Sequence, residues 1–73
     1  MMMKLDFTKL KITRVVKVTE QAVRVQLTNQ HDDMEIWVPR SNLSYRADKV
    51  VDKNPSEITE IEIADWWLKE NRL

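Results

Sequence analysis

The sequence predicts an α+β domain: a small antiparallel β-sheet of three to four strands, a short helical turn after strand 3, and a C-terminal α-helix packed on the sheet. Three observations lead there. β-Branched runs with period-two alternation fill residues 10–38, separated by short polar segments. A second isoleucine-rich run, 58–63, passes into a stretch with helical spacing and two adjacent tryptophans. Finally, 73 residues without a single cysteine are enough for one small core and no more.

The first strand spans residues 10–18. Ile12, Val16 and Val18 share one parity, and Lys9, Lys11, Thr13 and Lys17 the other. Arg14 and Val15 break the alternation, which suggests a bulge or a partly exposed edge strand. Thr19-Glu20-Gln21 has room only for a tight hairpin. From Ala22 to Leu27 the alternation is clean, with Val23, Val25 and Leu27 inward and Arg24 and Gln26 outward. Residues 28–33 form a polar loop whose Asn and Asp side chains suit left-handed backbone positions. In the third strand Met34, Ile36 and Val38 point inward and Glu35 and Trp37 outward, and Pro39 ends it because proline cannot continue a central ladder.

Arg40 to Leu43 reads as one helical turn, with Leu43 folding back as a core plug. Residues 44–56 are polar apart from Tyr45, Ala47 and Val50-Val51, and read as a long loop closed by the turn at Asn54-Pro55. For 58–63 the β-branched density favours a strand with Ile61 and Ile63 inward, over a helix capped by Ser56. The final helix runs from about Ala64 to Arg72, anchored by Trp67 and Leu68, with Leu73 covering its end. The chain is read as a single domain, 1–73, with 1–8 flexible.

Composition excludes several functions. Glycine is absent, where an average usage of about 7% would supply about five. Phosphate-cradling loops and dinucleotide fingerprints need residues without a Cβ, so neither is expected. The Met1-Met2-Met3-Lys4 run is too short for a signal peptide's apolar region, and no stretch approaches a membrane span. Charge sums to zero but is polarised. Residues 1–30 hold six basic side chains against two acidic, and residues 31–73 hold six against ten. Such a dipolar molecule can show a basic face to one partner and an acidic face to another.

His31, beside Asp32 and Asp33, is the only histidine, and adjacent residues of one loop rarely converge on a metal. Ser41, Ser44 and Ser56 lack a partner base, and Glu57, Glu60, Glu62 and Asp65 form a solvated acidic face. No catalytic residue, metal or cofactor is expected; the chain is read as non-enzymatic. Trp37 lies outward on the same sheet face as Arg24 and the Lys11/Lys17 stripe. That face suits an acidic protein surface or a stacked base, set against a simple Arg–Trp stack within the sheet. Trp66 and Trp67 diverge by about 100°, so one of them stays partly exposed. The candidate partner-binding residues are Lys11, Lys17, Arg24, Trp37, Arg40 and Trp66.

Glu35-Ile36-Trp37-Val38-Pro39-Arg40-Ser41 and the ending from Ile61 to Leu73 resemble segments of small phage-encoded transcription regulators that bind host RNA polymerase. The resemblance implies a non-enzymatic protein of the host bacterial cytoplasm that inhibits initiation and promotes antitermination. It further implies contact near the N-terminus of the β′ subunit, displacement of the sigma factor, and elongation factors as further partners. On that reading the basic sheet meets an acidic patch of the polymerase, and the acidic 52–65 stretch mimics nucleic acid or meets a basic patch. The alternative is a small nucleic-acid-binding module using the basic, Trp-bearing sheet face, and a third is a subunit of a phage or bacterial assembly.

Overall fold

The structure is a computed structural model and describes residues 6–28 and 34–73. Four strands, β1 (Phe7–Val18), β2 (Ala22–Leu27), β3 (Glu35–Pro39) and β4 (Glu60–Ala64), form one antiparallel sheet in the order β3-β2-β1-β4. Two helices, α1 (Tyr45–Lys53) and α2 (Asp65–Glu70), flank β4 in the chain, and single 3-10 turns occupy Arg40–Asn42 and Pro55–Glu57. The expected α+β layout is present, including the turn after the third strand and the C-terminal helix.

The hairpin between β1 and β2 is closed by Thr19. Its N–H and hydroxyl both donate to the Ala22 carbonyl at 2.9 Å, and the hydroxyl accepts from Ala22 N–H at 3.0 Å. Threonine thus supplies locally what a glycine turn would supply through backbone freedom. The irregularity at Arg14-Val15 is real, but it marks two register shifts, between Ile12 and Arg14 and between Val15 and Lys17. Each shift moves the following residues to the other face. Val15 therefore packs on the core, while Val16 is exposed, contrary to its expected inward place. Nor is β1 an edge strand: it starts at Phe7, lies between β2 and β4, and Lys9–Lys11 pair with Glu62–Glu60.

The ladder between β2 and β3 explains Pro39. Leu27 N–H donates to Met34 O and Arg40 N–H to Gln21 O, both at 2.8 Å. Hydrogen-bonded pairs alternate along an antiparallel ladder, so at Pro39 the missing N–H faces away from β2. Proline sits inside the strand at no loss because β3 is an edge. Met34, expected inward, precedes the strand and is largely exposed.

Residues 44–56, expected as a loop, hold α1. Ser44 caps it: its hydroxyl accepts from Ala47 N–H at 3.1 Å and donates to Glu62 Oε1 at 2.7 Å. Ala47 and Val51, one turn apart, are buried, and Lys49 sits 4.6 Å from the Tyr45 ring centre. So narrow an apolar stripe is hidden in a polar sequence. Phe7 and Thr8, at the end of the stretch read as flexible, are residues of β1; positions 1–5 and the 29–33 part of the polar loop, His31 included, lie outside the described residues.

One core unites the two halves of the chain. Ile12, Val23, Val25, Leu27 and Val38 of the meander pack with Leu43, Ala47, Val51, Ile58, Ile61, Ile63 and Leu68. Leu43 is the plug expected, bridging β4 at Ile63. Within 58–63 the strand reading holds from Glu60 on, while Ile58 and Thr59 precede β4. The last helix is shorter than expected, because Ala64 belongs to β4; Leu68 is buried, Trp67 packs on the core and Leu73 stays exposed.

A candidate docking face on the sheet

The core takes one face of the sheet; the other carries the charged residues of the strands. Alternation from the buried Ile12, Val23, Val25, Val38, Ile61 and Ile63 puts Lys9, Lys11, Arg14, Lys17, Arg24, Gln26, Glu35, Trp37, Glu60 and Glu62 on the outer face. Both helices contribute their buried residues, Ala47, Val51 and Leu68, to the core instead.

Two cross-strand rows define the outer face. Lys17, Arg24 and Trp37 stand side by side on β1, β2 and β3. The next row is Arg14, Gln26 and Glu35. Arg24 and Trp37 form a non-hydrogen-bonded pair, the closer kind, and the guanidinium carbon lies 5.6 Å from the ring centre. Arg24 Nε also approaches Glu35 Oε1 to 2.6 Å. This contact is an ion pair without an aligned hydrogen bond, because no acceptor lies along the screened Nε–H. Arg14 Nε donates to Gln26 Oε1 at 2.9 Å. Trp37 keeps 45% of its surface exposed despite the stack.

Of the residues singled out in the sequence, only Lys17, Arg24 and Trp37 come together. Lys11 lies on the same face but opposite Glu60, and Lys9 opposite Glu62, so β4 answers the lysine stripe with carboxylates. Trp66 projects from α2, 48% exposed, on a different element. Arg40 is committed inside the molecule. Its Nε and Nη2 reach Asp48 Oδ1 and Asp52 Oδ2, each at 2.7 Å, and Nη1 donates to the Thr19 carbonyl at 3.0 Å. Hydrogen bonds to the two carboxylates push its already high pKa further up, and the same hydrogen bond holds the Asp52 carboxyl below the usual range. With its side chain 15% exposed, Arg40 fastens the first hairpin to α1.

Sequence reasoning did not single out Arg14, whose place depends on where the β1 bulges fall, or Glu35, which it set outward without seeing that it pairs with Arg24. It also passed over a cleft of about 180 Å³ between α1 and β4, lined by Lys9, Arg46, Val50, Ile58 and Glu60 among others. Among the described residues no helix is long and apolar enough to cross a membrane. No known protein family, characterised protein or solved structure matches the chain.

Proposed function

We propose that this chain is a non-catalytic docking domain that presents its outer sheet face to bacterial RNA polymerase and regulates transcription in the bacterial cytoplasm. The observation that supports it best is the in-register row Lys17–Arg24–Trp37 on the face opposite the core. Arginine and tryptophan are the residues most often found at binding hot spots. The polymerase itself is supplied by the resemblance of residues 35–41 and 61–73 to phage regulators. Inhibition of initiation, antitermination and contact near the β′ N-terminus belong to the same proposal.

Charge favours a protein partner over nucleic acid. Glu35, Glu60 and Glu62 share the face with the basic residues, and each opposes a phosphate backbone. One side of Trp37 is occupied by Arg24, which leaves less ring for a stacked base. The tagged chain should recover RNA polymerase from a bacterial lysate at low salt and bind the purified enzyme. The double variant Arg24→Ala/Trp37→Ala should lose that binding with its circular dichroism unchanged. Absence of polymerase at low salt sinks the reading; steeply salt-dependent binding of a single-stranded oligonucleotide without polymerase would replace it with the nucleic-acid alternative.

A further inference from the structure

The free edge of β3 has an unusual set of hydrogen-bonding groups. By the phase of the β2–β3 ladder, Ile36 and Val38 turn their N–H and C=O toward β2, while Glu35, Trp37 and Pro39 turn theirs outward. β3 is the end strand, and among the described residues no backbone hydrogen bond engages those outward groups. The edge therefore offers donors at Glu35 and Trp37 and acceptors at all three residues.

We infer that this edge pairs with the same edge of a second copy of the chain, antiparallel about a two-fold axis at Trp37. In that register each Trp37 N–H meets the Trp37 carbonyl of the other copy, and each Glu35 N–H meets the opposite Pro39 carbonyl. Every outward donor finds an acceptor, and Pro39, which has no donor, falls opposite the Glu35 carbonyl. With the axis at Ile36 the same donors are paired, but Glu35 faces Trp37 and the two tryptophan rings part; with the axis at Val38 Trp37 meets Pro39 and the Glu35 donors find no strand residue. Further slips set Glu35 against Glu35, a like-charge pair, or Pro39 against Pro39, which form no hydrogen bond.

Apolar surface left open on both sides of the edge suits an added strand. Trp37 is 45% exposed on the outer face; on the core side Met34 is 45% exposed and Ile36 only half-buried. Pairing brings the Trp37 rings together and sets Ile36 beside Val38 of the second copy. The row Lys17–Arg24–Trp37 then continues into Trp37–Arg24–Lys17 of the other chain, doubling the basic face. This inference stands apart from the identity of any further partner.

Sedimentation equilibrium and amide exchange on the full chain, across micromolar to millimolar concentrations, test it. A monomer–dimer equilibrium is expected, with the Glu35 and Trp37 amides gaining protection as concentration rises. The Ile36 and Val38 amides, bonded to β2, should be protected throughout. Glu35→Pro removes a donor that points away from β2 and should weaken the dimer about tenfold or more. Trp37→Lys places two ammonium groups at the seam and should leave only monomer; it decides the matter if the proline variant fails to fold. A chain that stays monomeric across the range overturns the inference, as does a dimer whose Glu35 and Trp37 amides exchange at one rate at every concentration.

Discussion

Arg40 and Arg24 have similar chemistry and opposite fates. Arg40 is spent on Asp48, Asp52 and the Thr19 carbonyl, so its guanidinium holds two elements together. Arg24 stacks on Trp37 and remains accessible from solvent. The clamp at Arg40 makes stability depend on acid. Asp52 has its pKa lowered in the folded state, chiefly by the Arg40 hydrogen bond. Its contribution is therefore complete above the ordinary aspartate pKa of about 3.9 and is lost as pH falls through the lower folded value. Asp52→Asn should be less stable than the parent at neutral pH, and its stability should decline less steeply in the acid range, measured by urea unfolding at a series of pH values. Equal pH profiles for the two proteins would refute the clamp as a source of acid sensitivity.

The helix ends bear the cost of a chain without glycine. α2 closes with Leu73 N–H bonded to Leu68 O at 2.9 Å and Arg72 N–H to Lys69 O at 3.2 Å. This is a Schellman ending, and Arg72 takes the left-handed position at φ 56° that glycine usually fills. Arg72→Gly should raise stability by about 0.5–1 kcal/mol, seen as a higher midpoint of thermal unfolding, because the left-handed conformation penalises a Cβ. At the start of α1 the opposite substitution logic applies. Ser44 is buried and bonds both Ala47 N–H and Glu62 Oε1, so it ties α1 to β4 as well as capping it. Ser44→Ala should cost about 1–2 kcal/mol in chemical unfolding; a loss of only a few tenths would mean the cap is replaced by water.

As a whole molecule the chain has one hydrophobic cluster shared by the meander and the α1–β4–α2 half. Neither half can keep its apolar face covered alone, which a domain this small cannot tolerate. Unfolding should therefore be two-state, with tryptophan fluorescence and far-ultraviolet circular dichroism giving coincident transitions. A fluorescence change that precedes the loss of secondary structure would show the halves melting separately. The same architecture separates tasks by face: burial on one side of the sheet, and an open, mixed-charge surface with a basic row on the other.

The sequence by itself determined the meander, the β4 strand, the turn at Arg40 and the C-terminal helix, because alternation and β-branched density are local signals that burial then enforces. It also placed Arg24 and Trp37 on one face, since both lie on cleanly alternating strands. Three things were decided only in the tertiary structure. The two bulges in β1 set which of Val15 and Val16 is inside and bring Lys17 into the row, because register depends on the partner strand. Helix α1 forms because Ser44 finds Glu62 and because two small apolar residues find a sheet to cover. Arg40 leaves the candidate surface because Asp48 and Asp52, eight and twelve residues away, fold back onto it once that helix exists.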